Sequence, residues 1–188
     1  MTDEWVDLSD ELSGVLDELT AYYDELEGES PRAAAILAVA SMEDELDLLL
    51  RSKFPDTTSN TAWKSISGSG PKPFGSLKAK TDVAKVFGFF GAKTQTMIER
   101  IATVRNKFAH RTHIREFDHP DVLAVCRELS ANPVFPHVYP DNPRAQDIRR
   151  NYIDTVKALT ARLTEIRLTS KLYIDGTEQP HAPPLPLP

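Results

Sequence analysis

Apolar positions recur with a helical period along most of this chain. Leu12, Leu16, Leu19, Tyr23 and Leu26 step by four, three, four and three, which sets them on one helix face. Ser9 is the expected N-cap of that helix, and Gly28 ends the pattern. Ser30-Pro31 opens a second helix, with proline at the first helical position, where its missing N–H costs nothing. That helix runs Ala-rich over Arg32–Leu50, with Ile36, Val39, Ala40, Leu46, Leu49 and Leu50, and its small residues suit close helix–helix approach. Residues 55–75 read as a connector, because Ser67-Gly68-Ser69-Gly70-Pro71-Lys72-Pro73 has neither period nor bulk. Structure resumes from Phe74 to Gly88, and a further helix follows over about Thr94 to Phe108, with Met97, Ile101, Val104 and Phe108 on one stripe. A short helix is expected over about Asp121 to Leu129, and a long one from about Arg144 to Leu172, carrying Ile148, Tyr152, Val156, Leu159, Leu163 and Ile166.

No segment alternates with period two over a convincing length, and there is no internal repeat. The pattern therefore predicts an all-α fold, a single compact bundle of five to six helices over residues 1–174. Four prolines between 131 and 143 predict an ordered but irregular crossing. Five more within 175–188 predict a disordered tail.

Composition narrows the function classes. No stretch among the 188 residues approaches the roughly 20 apolar residues of a membrane span. The start, Met1-Thr2-Asp3-Glu4-Trp5, lacks the basic region of a secretory signal. Cys126 is the single cysteine, which excludes an internal disulfide framework and points to a reducing, cytoplasmic setting. The formal net charge of −6 hides a split: residues 1–50 net −14, with Arg32 their one basic side chain, and residues 51–188 net +8. The two parts are expected either to attract each other, within the fold or across a dimer, or to present a repelling side and a polyanion-facing side.

Candidate chemistry concentrates in Val104-Arg105-Asn106-Lys107-Phe108-Ala109-His110. At about 100° per residue, Arg105 flanks the apolar stripe of its helix instead of facing water. A guanidinium there keeps its charge and needs a carboxylate, a carbonyl or a bound anion. In an unbroken helix His110 lies about 140° from Arg105. The two meet only if the helix ends near Ala109 or a second chain brings them together. An Arg and a His at one phosphodiester suffice for metal-free RNA cleavage, with the His exchanging protons, the Arg stabilising charge and Asn106 orienting or binding. The competing reading is structural: Arg105 and Asn106 brace neighbouring helices and His110 caps its own helix end.

Arg105-Asn106-Lys107-Phe108-Ala109-His110 resembles the RN-x-FAH signature of the mannitol operon repressor (MtlR/MltR) family. Ser30-Pro31-Arg32-Ala33-Ala34, with Met42-Glu43-Asp44-Glu45-Leu46-Asp47-Leu48-Leu49, is similar to that family's first helical motif. Pro73-Phe74-Gly75-Ser76-Leu77-Lys78-Ala79-Lys80, with Val86-Phe87-Gly88, is similar to its Gly-Pro-Leu-Gly stretch, although Lys72-Pro73-Phe74-Gly75 departs from that tetrapeptide. The order of elements matches over residues 12–130, and the last helix and tail have no counterpart. The resemblance implies a homodimeric, all-helical regulator acting through a protein partner. The same element resembles the R-x4–6-H motif of HEPN domains, many of them dimeric endoribonucleases of toxin or defence type, whose Arg and His converge at the dimer interface. Carried over residue by residue, that implies Arg105, Asn106 and His110 as catalytic only if the chain is a nuclease. A non-catalytic scaffold or antitoxin-like module is the third reading.

Residues 93–115 net +5, which suits RNA or the acidic N-terminal segment equally. Residues 144–171 net +4 and read as a solvated face. No helix-turn-helix pattern is evident, so direct sequence-specific DNA binding is not expected. His110, His113 and His119 lie near Asp118 and Asp121 without zinc-type spacing, and Gly68-Ser69-Gly70 lacks the phosphate-loop pattern; neither a metal nor a cofactor is expected. Cys126, among Val122, Leu123 and Val125, reads as a buried structural thiol.

Overall fold

The computed structural model describes residues 2–55, 57–68, 70–130 and 143–172, with side chains described at 13–55, 57–68, 70–129 and 143–169. The proline-rich crossing expected over 131–143, apart from its last residue, and the tail expected at 175–188 lie outside the described residues. Within them the chain is all-helical: α1 (Thr2–Glu25), a 3-10 turn (Leu26–Gly28), α2 (Pro31–Arg51), α3 (Asn60–Ile66), α4 (Leu77–Val86), α5 (Ala92–His110), α6 (Pro120–Ser130) and α7 (Ala145–Leu172). The one β feature among the described residues is an isolated bridge between Ser67 and Phe74.

Serines set three of the helix starts. The side chains of Ser30, Ser59 and Ser76 each accept a backbone N–H three residues on, from Ala33, Ala62 and Ala79. Each such cap stabilises its helix by about 1 kcal/mol. Ser9 has no such role, because α1 already begins at Thr2 and runs through it. The other correction is α3. Its seven residues are too short to show a period, yet Ser59 caps them and Trp63 is buried.

The α2 helix is the axis of the bundle and packs against α7, α5 and α4, while α1 lies on α7. Ala34, Ala35 and Ala38 are fully buried and let neighbouring helices approach. Two tyrosines use that closeness. The Tyr23 hydroxyl donates to Ala38 O at 3.0 Å and lies 3.0 Å from Thr160 Oγ1 of α7. The Tyr152 hydroxyl of α7 sits between Ala35 O of α2 at 3.3 Å and Ile101 O of α5 at 3.4 Å. Burial pushes the Tyr23 hydroxyl up to about 12 and holds Tyr152 well above the usual tyrosine value, so both remain donors near neutral pH. The α4 helix ends at Gly88, whose φ of +78° is the left-handed conformation that closes a helix and disfavours side chains.

The connector folds back on a buried polar node. Lys80 of α4, almost without solvent contact, lies 3.2 Å from Asp47 and 3.5 Å from Glu43, both on α2. Asp47 also accepts from Trp63 Nε1 at 2.8 Å and from the Ser67 hydroxyl. Gly75 is required by this turn, because a Cβ there would lie 2.1 Å from Gly70 O. Burial alone would raise the Asp47 carboxyl, but hydrogen bonds from Ser67 and Trp63, with the Lys80 charge, outweigh it and hold the group below the usual carboxylate range. A carboxyl depressed in the folded state stabilises above its unfolded pKa, and that contribution is lost as pH falls through the folded value. Asp47→Asn is therefore expected to lower stability in urea unfolding by about 1–3 kcal/mol at pH 7. The deficit against wild type should shrink progressively below pH 4; a deficit constant with pH would show that the Asp47 charge is not what stabilises.

Candidate functional site

The α5 helix carries the three residues singled out for chemistry, and it runs without a break through His110. The early helix end that would bring Arg105 and His110 together in one chain therefore does not occur. One turn separates Asn106 from His110 on the same side of α5, and Arg105 stands about 100° and 140° from them. Their surroundings differ accordingly. Asn106 is exposed and lines a groove of about 380 Å³ between α4 and α5, with Leu77, Thr81, Ile98 and Ala102. His110 is exposed at the helix end.

Arg105 flanks the apolar stripe, as the periodicity predicts. Its side chain is half-buried, and its Nε is fully buried with no hydrogen-bond partner. Among the described residues no carboxylate pairs with it. Its charge acts on the neighbouring Tyr152: burial raises that hydroxyl, Cys126 and Tyr23 add to the effect, and Arg105 opposes it. Cys126 itself is buried, and desolvation pushes its thiol up to about 12, which suits packing and not nucleophilic chemistry.

The C-terminus of α5 is capped by Arg32, not by His110 as expected. From the first turn of α2, the Arg32 guanidinium donates to Phe108 O and, at 3.2 Å each, to Arg111 O and Ile114 O. A planar fork with five donors fits three converging carbonyls, and its positive charge complements the negative end of the α5 dipole. A lone histidine would reach one carbonyl and carry charge only in its protonated form. Downstream, the rings of His113 and His119 lie 5.5 Å apart, and His119 Nδ1 accepts the Asp121 amide at the start of α6.

Among the described residues, the N-terminal carboxylates do not pair with the basic segment around Arg105. Among the described residues Asp24 pairs with Lys157 at 3.6 Å, Glu27 with Arg150 at 3.4 Å and Glu45 with Arg167 at 2.5 Å, all on α7, while Glu43 and Asp47 take Lys80. Within 93–115, Arg100 pairs with Glu128 and Arg111 with Asp121, both on α6. Among the described residues Lys93, Lys107 and Arg115 enter no ion pair. The internal attraction between the halves is thus real, but it runs through α7 and α4.

Arg32, Asp47, Lys80 and Trp63 were not singled out by their chemistry, although three of them stand in the stretches that carry the family resemblance. Their signal was indirect. Arg32 is the one basic residue among the first 50, and Lys80 is a lysine at a position the α4 stripe buries. No protein-family model matches the chain, and neither a curated protein nor a solved structure does.

Replacing Arg32 by Ala should destabilise the protein by about 2–3 kcal/mol in urea unfolding, since charged hydrogen bonds and a helix-end charge are lost together. Amide exchange should accelerate most at Arg111 and Ile114. Arg32→Lys should recover only part of the loss, because an ammonium lacks the planar fork.

Proposed function

We propose that this chain is a non-catalytic helical regulator of the mannitol operon repressor type, working through contacts with a protein partner and not by reading DNA. One observation carries the reading: residues of the two stretches that precede the signature hold the fold together. Arg32 of the first stretch grips the carbonyls at the end of the signature helix, and Lys80 of the second sits between Glu43 and Asp47 of the first. Arg105, Asn106 and His110 meanwhile diverge around α5, so one chain does not assemble a phosphodiester-cleaving site. A helical module whose motifs cross-brace its elements offers surfaces, and surfaces serve partners.

A specific observation favours a second reading, the HEPN-type metal-independent endoribonuclease. The buried Nε of Arg105 has no partner, and a part-buried guanidinium is satisfied by a phosphate oxygen as well as by a carboxylate. That reading requires a second copy to bring His110 to Arg105. The basic side chains left unpaired between 93 and 115 would then face the RNA.

Incubation with RNA in EDTA separates the two. The regulator reading expects no cleavage above buffer by wild type. Cleavage that both Arg105→Ala and His110→Ala reduce a hundredfold or more, about the scale of general acid–base catalysis, would establish the nuclease instead. The regulator reading also expects only weak, salt-sensitive binding to operator-length DNA near 150 mM salt. Tight, sequence-selective binding by the isolated protein would contradict partner-mediated action.

A further inference from the structure

The outer side of the α1–α2 hairpin is open. Tyr22 Oη donates to Leu37 O at 2.8 Å and Tyr23 to Ala38 O, which ties the end of α1 to the start of α2. From there the two helices run antiparallel over α7 and leave a groove of about 430 Å³. Its walls include Val15, Leu19 and Tyr22 of α1 and Ala40 and Leu48 of α2, and its floor is Thr160 and Thr164 of α7. The floor threonines donate to Val156 O and Thr160 O of their own helix. Those hydroxyl protons are therefore already placed, and the floor asks for no hydrogen bond from a ligand.

The α2 wall is mixed: Ala40 and Leu48 stand beside Ser41, Asp44 and Glu45. Leu37, Ser41, Asp44 and Leu48 follow one another by four, three and four, a single stripe along the helix. Leu48, in the groove, is 48% exposed, and Leu37, just beyond its lining, is 38% exposed; they are two of the four large hydrophobic residues left exposed among the described ones. From Leu37 to Leu48 the stripe is about 16 Å long, or three helical turns. The walls are helices, and no sheet edge borders the groove. A helix seated by ridges into grooves is the element that fits.

The rim fixes the charge of what enters. Glu18 and Asp44 border the groove, Asp17 neighbours Glu18, and among the described residues none of the three has an ion-pair partner. An apolar ligand would strip water from these carboxylates without compensation. A ligand with cations beside its apolar stripe would pair with them. A two-fold contact with a second copy of this face would set Glu18 and Asp44 against the same carboxylates, which like-charge repulsion disfavours.

We propose that this groove is the partner-binding surface, and that its occupant is an amphipathic helix of another protein, with an apolar stripe flanked by Lys and Arg. The proposal rests on the partner-mediated reading above and names the surface that reading uses.

The probe is a labelled synthetic Leu/Lys peptide with leucines at i, i+3, i+4 and i+7, compared with a scrambled peptide of the same composition by fluorescence anisotropy on the full chain. Wild type should bind the amphipathic peptide at least about tenfold more tightly than the scrambled one. Leu48→Asp should weaken binding by about tenfold or more, as expected for loss of one buried leucine. Asp44→Lys should weaken it several-fold at low salt and less at high salt. Val86→Asp, at the exposed corner after α4, should leave it unchanged. Both Leu48 and Asp44 are exposed, and unchanged thermal melts by circular dichroism would show that their variants fold. Equal binding of the scrambled peptide, or full binding by Leu48→Asp, would overturn the proposal. So would sedimentation showing that wild type is a dimer which Leu48→Asp makes monomeric, since a second copy would then cover the groove. RNA cleavage tests the regulatory reading separately: it would remove that reading without altering the peptide result, whereas absence of peptide binding removes the groove alone.

Discussion

One guanidinium sets the register on which the bundle depends. Arg32 holds the last carbonyls of α5 and of the turn after it, so the start of α2 is fixed against the end of α5. With that end fixed, Ala35 of α2 comes opposite Ile101 of α5, and the gap between their carbonyls is where the Tyr152 hydroxyl of α7 lies. A shift of α2 by one residue would move Ala34, Ala35 and Ala38 off the line of close approach and put larger side chains there. Arginine suits this position because it keeps its charge at any ordinary pH and presents its donors in one rigid plane. At the other end of α2 the Lys80 node repeats the logic with the signs reversed, a buried ammonium between two carboxylates of the axis helix.

The charge split takes on a different meaning once the pairs are known. The described carboxylates of the first 50 residues do not pair with the basic segment on α5. Among the described residues they are met partly by α7 and by Lys80. The basic segment is in turn met partly by Glu128 and Asp121 of α6. What remains is a molecule with an acidic hairpin on one side and a cationic helix on another, held apart by a neutral core. Long-range attraction for partners of opposite sign can therefore act on two faces independently.

Most of the fold was legible because helical period is a dense signal. The stripes Met97–Ile101–Val104–Phe108 and Ile148–Tyr152–Val156–Leu159–Leu163–Ile166 are buried throughout. The bounds of α2, α5, α6 and α7 fall within about two residues of where capping and proline chemistry place them. What escaped is what has no period. Trp63 sits on seven residues and is anchored by Asp47, sixteen positions upstream, so its helix is a tertiary fact before it is a local one. The site followed the same rule. Helical geometry placed Arg105 at the edge of the stripe and His110 away from it. No local pattern told that the end of α5 would be capped from seventy-six residues earlier in the chain.

The position of α7 bears on the order in which this protein can become stable. Tyr23 meets Thr160 across 137 residues, and Glu45 meets Arg167 across 122. As the chain leaves the ribosome, the face of α1 that packs on α7 has no cover until that final long helix emerges. The first helix is therefore the last to be secured, and α2–α4–α5, braced by Arg32 and Lys80, is the part able to consolidate while synthesis continues. The many carboxylates of the first 50 residues carry one sign of charge, and that like charge opposes self-association of the N-terminal hairpin before α7 covers α1.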